Sequence, residues 1–435
     1  MEKTSLLDGT AILRFAHAFE SGGGTERYLD DLDRALLTRN SATILRLHLT
    51  RNPSPDDPTE EPVGKGTLVH VPLPVLPMND SAAIADEHSL RFRFKQKARN
   101  WVLYNSLVWK MVGAHWVSGH RLTPQPGQAI GAGAAAAAVF RTRRIDLVIL
   151  HFFGGADAES VIVEAQKADV PVALLNHYSN DRFSHLAIRK HAMLADGVAG
   201  VNSLDVPLYL RDLFTNLADG IDTEFFRRAH ARPLPNAPAY PIILLPARVI
   251  REKGQMDLVH AATTLRQIGL ACCIVFAGRF DSSGFVDDLR QKITRVGLTD
   301  SVRFLGALSV EELRDWYAAS TVVVLPTYHH EGLPRVILEA QAMETPVIAY
   351  STGGVADGIV SGTTGFLLPT GDIAGLTSRL RELLSSPSLR ASMGTCGREA
   401  AETRFSLFAL ADRHERFYAQ VIADFKAGRT KSCTS

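Results

Sequence analysis

The sequence has few cysteines, almost no net charge and no long apolar run, and each shortage excludes a class of protein. Its four cysteines include the neighbours Cys272 and Cys273, and no pair has the C-x-x-C spacing of a zinc or redox site. A formal net charge of +1 gives no overall field that would attract nucleic acid. No window reaches the ~18 uninterrupted apolar residues of a membrane-spanning helix. We therefore expect no zinc site, no nucleic-acid partner and no transmembrane helix.

The amino terminus also lacks the features of a secretory signal. Residues 1–19 do not combine a basic region with a long apolar core. The expectation that follows is a cytoplasmic protein whose cysteines stay reduced.

What the sequence does contain is a repeated alternation of apolar runs and helical patterns. Ala11–Phe15 precedes a helical pattern over Thr25–Leu37, and Ile145–Phe153 is a nearly continuous apolar run. Runs of this kind are typical of central parallel strands, which are buried on both faces. Over 435 residues, the alternation predicts an α/β fold with two doubly wound, Rossmann-like domains facing across a cleft.

A proline-rich stretch, residues 229–240, divides the chain. It contains three prolines and no periodicity, which predicts a linker between domains at 1–228 and 241–435. Ligands of open α/β sheets bind at the carboxyl ends of the strands, so we expect the site in the cleft. The elements predicted after the linker are strands Ile242–Ala247, Ala271–Ala277, Ser301–Phe304, Thr321–Leu325 and Pro346–Tyr350 and helices Gly254–Ile268, Phe285–Val296, Val310–Ala319 and Pro334–Met343.

The segment LPTYHHEGLPRVILEA carries the clearest chemical content. Glu331 follows a predicted strand, Pro334 suits the first turn of a helix, and Glu339 lies one to two turns into that helix. The N–H groups around Gly332 and Leu333, together with the helix dipole, form an anion site. A diphosphate bound there would place Glu331 near the hydroxyls of an attached sugar, and Glu339 near a ribose.

The two glutamates, with seven residues between them, resemble the E-x7-E signature of the family 4 retaining glycosyltransferases, which have the GT-B fold. Arg248 and Lys253 are similar to the cation pair that holds the donor diphosphate in that family. The resemblance covers nearly the whole chain and is patchy over residues 54–144. Further matching elements are the glycine loop Gly22–Arg27, the Asp219–Asp222 element with Asp219 where Asn is usual, and the glycine turns at Ser351–Gly354 and Gly365-Phe366.

The resemblance implies a metal-independent, retaining transfer from a nucleotide diphosphate-sugar, which is a co-substrate and not a cofactor. Attack would occur on the front face, with the departing phosphate oxygen accepting the proton of a glycan or lipid-linked acceptor. His177 would orient the donor sugar. The N-terminal domain would hold the acceptor, and the last helix is a candidate to cross back to it. The predicted catalytic residues are His177, Arg248, Lys253 and Glu331, and the predicted donor-binding residues are Gly23, Gly24, Arg248, Lys253, Glu331, Gly332, Leu333, Pro334 and Glu339.

Other interpretations stay open at this point. A different GT-B enzyme, such as a nucleotide-sugar epimerase or a phosphorylase, and a non-catalytic nucleotide-sugar sensor would share these motifs. Asp31 and Asp33 have the D-x-D spacing that other glycosyltransferases use for manganese, but they lie in a helical pattern, so we expect a solvated face and no metal. His151, at the end of another predicted strand, is a weaker candidate for the cleft wall. The donor base, uracil or guanine, is not specified.

A basic, tryptophan-containing segment suggests where an acceptor could lie. No acidic residue occurs between Glu87 and Asp146, and residues 91–121 combine arginines and lysines with three of the four tryptophans. Such a mixture suits an anionic lipid surface. We hypothesise that 91–121 docks on the inner face of a membrane; the alternative is a helix whose aromatics pack into the first domain.

Overall fold

The computed structural model confirms the predicted α/β architecture: two mainly parallel sheets, each covered by helices, are assembled from consecutive halves of the chain. Val172–Asn176 and Ile242–Leu245 illustrate the reason, because every residue of these strands is buried, as both faces of a helix-covered sheet require. The residues that the structure describes are 5–16, 24–50, 59–74, 130–151, 156–177, 186–204, 206–280 and 284–428.

The first sheet is formed by residues that precede the proline-rich stretch. Its strands are β1 (Ala11–Ala16), β2 (Thr43–Thr50), β3 (Thr59–Val63), β4 (Gly66–Pro74), β5 (Leu147–His151), β6 (Val172–Asn176), β7 (Gly197–Gly200) and β8 (Phe214–Asn216). The order is β3-β4-β2-β1-β5-β6-β7-β8, and only β3 is antiparallel to its neighbour. The helices are α1 (Gly24–Arg39), α2 (Ile130–Thr142), α3 (Ala156–Lys167) and α4 (Leu186–Leu194).

The second sheet follows the proline-rich stretch and is parallel throughout. Its strands are β9 (Ile242–Leu245), β10 (Cys273–Ala277), β11 (Val302–Gly306), β12 (Val322–Leu325), β13 (Val347–Tyr350) and β14 (Gly365–Leu368), in the order β11-β10-β9-β12-β13-β14. The helices are α5 (Gln255–Gln267), α6 (Phe285–Arg295), α7 (Val310–Ala319), α8 (Arg335–Ala342), α9 (Val355–Gly358), α10 (Ile373–Ser385), α11 (Pro387–Arg404) and α12 (Leu407–Lys426).

Helix α12 returns from the second sheet to the first. It packs on α1, and its residues Leu410 and Tyr418 join the apolar cluster that includes Leu29 of α1. Ser406 starts the helix by accepting a hydrogen bond from the Ala409 N–H. The return ties the carboxyl-terminal end of the chain to the N-terminal domain.

The Ala/Gly-rich run forms helix α2, and its small residues serve a close approach between helices. A Cβ added to Gly133 would crowd Ser160 of α3. The small residue at this position therefore lets α2 and α3 lie close together.

The strands and helices predicted after residue 240 are confirmed to within a few residues at each end. The prediction of a glycine turn at Gly365-Phe366 is wrong, because both residues lie in strand β14, where Gly365 pairs with Val347. A Cβ on Gly365 would overlap the carbonyl oxygen of Val347, so this glycine serves close strand packing.

The remaining expectations concern the basic segment, the glycine loop, membrane-spanning helices and the cysteines. Residues 91–121 and Gly23 lie outside the described ranges. None of the helices within those ranges combines the length and apolar character needed to cross a bilayer. Cys272 and Cys273 are buried free thiols, as expected from their place in an apolar run.

Candidate active site

The site is formed where two loops of the second domain meet, one after β9 and one after β12. Lys253 ends the 3-10 turn Arg251–Lys253, and Gly254 follows with a φ of 72°. A Cβ on Gly254 would overlap the carbonyl oxygen of Pro326, the first residue after β12. Only glycine suits both the left-handed backbone and the close approach. The contact fixes Lys253 beside the β12 loop.

Lys253 and Glu331 form an ion pair at the carboxyl ends of these strands. Lys253 Nζ donates to Glu331 Oε1, and the two side chains keep exposed fractions of 12% and 17%. Thr327 Oγ1 lies 3.4 Å from the same carboxylate oxygen and 3.2 Å from the Glu252 carbonyl oxygen. The backbone N–H of Tyr328 also donates to that carbonyl. The two loops therefore hold the ion pair in one position that a ligand can reach.

Two glycines after β13 shape the backbone around Glu331. Gly353 has a φ of 52°, and a Cβ there would overlap the carbonyl oxygen of Glu331. A Cβ on Gly354 would overlap the carbonyl oxygen of Gly332, and the Gly354 N–H donates to the Glu331 carbonyl at 3.0 Å. The segment Ser351–Gly354 thus packs closely against the turn that begins helix α8.

The first domain meets this turn at His177, the residue that follows β6. A Cβ on Gly332 would crowd the carbonyl oxygen of His177, so the two backbones are in direct contact. Asn202, just beyond β7, donates from Nδ2 to the Gly332 carbonyl at 3.1 Å. Strand ends of both domains therefore converge on the Glu331-Gly332 turn, and this convergence defines the cleft.

Glu339 lies on α8, as predicted, and its side chain is fully buried. Tyr317 donates its hydroxyl proton to Oε2 at 2.9 Å. The second oxygen, Oε1, has Arg27 Nη2 at 3.4 Å and Arg335 Nε at 3.8 Å. Among the residues that the structure describes, no hydrogen bond of normal geometry reaches Oε1. Glu339 therefore keeps an acceptor available on the side that faces Arg27 of the first domain.

Arg335, one turn earlier on α8, links the two domains and was not predicted. Its guanidinium donates to the Gly220 carbonyl at 2.9 Å and to Asp31 Oδ2 of α1 at 2.7 Å, and lies 3.5 Å from Asp219 Oδ1. Burial raises the pKa of Asp219 to about 6, although Arg335 acts to lower it. No pattern in the sequence singled out this arginine as a link between the domains.

The expected solvated face at Asp31 and Asp33 is wrong. Both residues lie in α1, but Asp31 pairs with Arg335 and Asp33 is fully buried between Arg14 and Arg46. Arg14 of β1 and Arg46 of β2 stabilise the buried carboxylate of Asp33, since a buried carboxylate needs a paired cation. The D-x-D spacing therefore serves ion pairs inside the protein.

His151 and His177 lie side by side behind the cleft. His151 is fully buried, and His151 Nδ1 is 2.6 Å from His177 Nε2. Burial, assisted by the positive charge of Arg14, lowers the pKa of His151 well below its usual value and that of His177 to about 3. Both imidazoles are consequently neutral at physiological pH.

The remaining predicted residues take different positions. Arg248 is exposed just after β9, Leu333 is buried in the core of the second domain, and Pro334 immediately precedes α8. Gly24 is the first residue of α1. Over the ranges that the structure covers, no group of three or more His, Cys, Asp or Glu side chains is placed to hold a metal ion.

Two parallel Rossmann-like sheets that face each other across such a cleft define the GT-B fold. The solved structure of HepE from Anabaena in complex with UDP has this fold; it superposes with a TM-score of 0.61 at 16% identity, over 94% of this chain and 100% of that one. Residues 226–400 match the family model described as Glycosyl transferases group 1. Over this segment the chain is similar to that family, which agrees with the resemblance that the motifs indicated.

Curated relatives match over part of the chain. A D-inositol 3-phosphate glycosyltransferase of Streptomyces avermitilis is 39% identical over 116 residues, 27% of this chain and 25% of that protein. A GDP-mannose-dependent monoacylated alpha-(1-6)-phosphatidylinositol monomannoside mannosyltransferase of Corynebacterium glutamicum is 31% identical over 215 residues, 46% of this chain and 54% of that protein. The chain thus spans about half, or less, of the length of these relatives in the matched regions.

Proposed function

We propose that this protein is a retaining glycosyltransferase that moves a sugar from a nucleotide diphosphate-sugar to a glycan or lipid-linked acceptor without a resident metal ion. The observation that carries the proposal is the Lys253–Glu331 ion pair at the start of α8, opposite His177. A cation and a helix N-terminus suit a diphosphate, and an adjacent carboxylate suits the hydroxyls of a sugar.

The leaving diphosphate needs positive charge as the glycosidic C1–O bond breaks. Lys253 is held in place by Glu331 and the β12 loop, and Arg248 is exposed on the neighbouring turn. Fixed positive charge near the developing phosphate charge lowers the barrier, as a metal ion does in other transferases. On this view the electron pair of the C1–O bond goes to the diphosphate oxygen, which then accepts the proton of the acceptor hydroxyl.

A double displacement would need a carboxylate nucleophile from the first domain. Asp31 and Asp33, two of the acids of α1, are engaged with buried arginines and are not placed for attack. This arrangement favours front-face attack, in which the acceptor oxygen approaches C1 from the side of the departing phosphate. The configuration at C1 is then retained.

Glu339 supports the proposed nucleotide end of the donor. Its Oε1 lacks a hydrogen bond among the described residues, and a ribose hydroxyl would satisfy this buried acceptor. Arg27, whose side chain has an exposed fraction of 32%, lies 3.4 Å from Oε1 and would have to move aside. The names of the matched proteins mention both UDP and GDP-mannose, so both nucleotides are candidates.

The test is a product assay on the purified chain with a panel of UDP- and GDP-sugars. We expect release of one nucleoside diphosphate, without added metal and in the presence of EDTA, that increases when the right glycan or lipid acceptor is added. The configuration of the product, read by NMR, should match that of the donor. Tight binding without any release of diphosphate would favour a sensor, and release that requires a metal ion would contradict the proposed mechanism.

A further inference from the structure

A chain of four polar side chains runs from the interior of the first domain to the cleft. Asp33 Oδ1 of α1 lies 2.6 Å from Arg14 Nη2 of β1. Arg14 Nη1 lies 2.5 Å from His151 Nε2 at the end of β5, and His151 Nδ1 lies 2.6 Å from His177 Nε2 after β6. Asp33, Arg14 and His151 are fully buried. Of these four side chains, that of His177 alone is partly exposed.

The direction of the hydrogen bonds follows from the chemistry of arginine. A guanidinium has donors and no acceptor, and it stays protonated in proteins. His151 Nε2 must therefore accept the hydrogen bond from Arg14, because an N–H at this position would face another N–H. A neutral imidazole with an accepting Nε2 carries its proton on Nδ1. That proton points to His177 Nε2, which must accept in turn.

The surroundings keep both rings neutral. His151 and His177 are desolvated beside a permanent cation, and both have lowered pKa values. Tyr28 contacts the His177 ring edge-on with centroids 4.7 Å apart, and the Tyr418 hydroxyl accepts from Arg14 Nη2 at 3.5 Å. Neither tyrosine adds negative charge at neutral pH, because burial raises the pKa of both. A second proton on either imidazole is therefore disfavoured.

We propose that Arg14 and His151 are positioning residues that hold His177 in the Nδ1–H tautomer, so that His177 meets the donor sugar as a hydrogen-bond donor. The role of His177 toward a sugar rests on the proposed function, whereas the tautomer follows from the buried chain alone. A sugar oxygen is the class of group that an Nδ1–H recognises. Asp33 completes the chain by neutralising Arg14 and fixing its orientation.

The direct test is a nitrogen NMR spectrum of the full-length protein labelled with 15N-histidine. The signals of the two rings are identified by their loss in His177→Gln and His151→Asn. We expect the protonated nitrogen to be Nδ1 in both rings from about pH 6 to 8. A His177 ring protonated on Nε2, or on both nitrogens, would overturn the proposal. The exposed His260 of α5 serves as an internal reference, because it lies outside this set of contacts.

A kinetic test separates positioning from packing. In His151→Leu the ring that donates to His177 is lost, and we expect kcat per folded enzyme to fall ~10-fold or more, with a smaller change in donor KM. His151→Asn keeps an N–H in the place of Nδ1 and should recover most of this loss. Equal kcat in the Leu variant and the wild type would contradict a positioning role. If the Leu variant does not fold, the NMR result on the wild type still decides.

The two tests distinguish this inference from the proposed function. If His177 carries its proton on Nδ1 but the protein transfers no sugar, the inference about the tautomer stands and the proposed glycosyltransferase function is wrong. If the protein transfers sugar but His177 is protonated on Nε2, the function stands and the inference about the tautomer is wrong.

Discussion

The two domains have similar sheets, but they place their polar groups in opposite ways. In the second domain the clusters around β9, β10, β12 and β13 are apolar, and Lys253 and Glu331 lie in loops beyond the strand ends. In the first domain Arg14 lies within β1, in the centre of the sheet, and is fully buried with Asp33. The second domain thus places Lys253 and Glu331 where a ligand can reach them, whereas the first uses Arg14 and Asp33 to order its interior and one histidine at its edge.

Two domains of similar fold can therefore have different roles in one site. Loop charges at strand ends cost little in stability and remain available to a substrate. Buried charges are costly to separate, and they gain a fixed geometry in return. Substitutions at Arg14 or Asp33 should therefore mainly reduce stability, and substitutions at Lys253 or Glu331 should mainly reduce turnover.

The largest expected effect is on stability in the first domain. Asp33→Ala would leave Arg14 and Arg46 buried without the carboxylate that they share, and should cost about 3–5 kcal/mol in unfolding free energy. Asp30, on the same helix with an exposed fraction of 44%, is the matched control: Asp30→Ala should cost less than about 1 kcal/mol. Urea denaturation measures both. Equal losses would remove the distinction between buried and exposed pairs.

The next effect is on turnover in the second domain. Lys253→Ala should lower kcat ~10²–10³-fold, the usual consequence of losing one stabiliser of developing charge. Its unfolding free energy should change by less than about 1 kcal/mol, because the pair with Glu331 is partly exposed. Arg251→Ala is the control, since Arg251 lies on the same turn but pairs with Asp288 of α6. Steady-state kinetics with normal turnover in Lys253→Ala would exclude this lysine from the mechanism.

A third effect concerns pH at the junction of the domains. The pKa of Asp219 is raised from 3.8 to about 6 on folding, so its ionisation destabilises the protein as pH rises through that range. Asp219→Asn should therefore match the wild type in stability near pH 4 and exceed it by about 1–3 kcal/mol above pH 6.

The comparison of the two proteins at each pH isolates Asp219 from the buried histidines. His177, with its lowered pKa, acts in the opposite sense, because its contribution to stability is lost as pH falls below about 6.5. That contribution is common to both proteins and cancels in the difference. A difference that stays constant from pH 4 to 8 would show that Asp219 does not titrate on folding as described.

The smallest effect is on donor affinity. Glu339→Gln keeps an acceptor for the Tyr317 hydroxyl but weakens the proposed contact to ribose, so donor KM should rise ~10-fold with little change in kcat. A 2′-deoxyribose donor should show the same loss with the wild type if the contact involves that hydroxyl. An unchanged donor KM in Glu339→Gln would argue against ribose contact.

The site residues of the second domain could be predicted from the sequence because most of them lie close together along the chain. Glu331, Gly332, Pro334 and Glu339 occupy one strand–loop–helix unit, and Lys253 follows the neighbouring strand. In a parallel sheet such loops meet at one edge, so their proximity could be inferred without knowing the packing. The turn assigned to Gly365-Phe366 failed because a glycine in a strand and a glycine in a turn look alike in sequence.

The contacts among the buried polar side chains of the first domain could not be predicted in this way. Arg14, Asp33, His151 and His177 are separated by up to 163 positions, and their contacts depend on the strand order β1-β5-β6. One signal was present: Arg14 interrupts the apolar run AILRFA of a strand with both faces buried. A charge in such a strand requires a buried partner, but sequence alone does not say which.

If Lys253 and the start of α8 bind the diphosphate of a nucleotide, as proposed, then the stabilisation of the protein by that nucleotide against thermal unfolding depends on this lysine. Wild type and Lys253→Ala would be heated with UDP, GDP, uridine and guanosine. We predict that one diphosphate at 100 times its Kd stabilises the wild type by about 2.7 kcal/mol, that its nucleoside does much less, and that Lys253→Ala loses most of the gain. Equal stabilisation of both proteins, or none by either diphosphate, would contradict the claim.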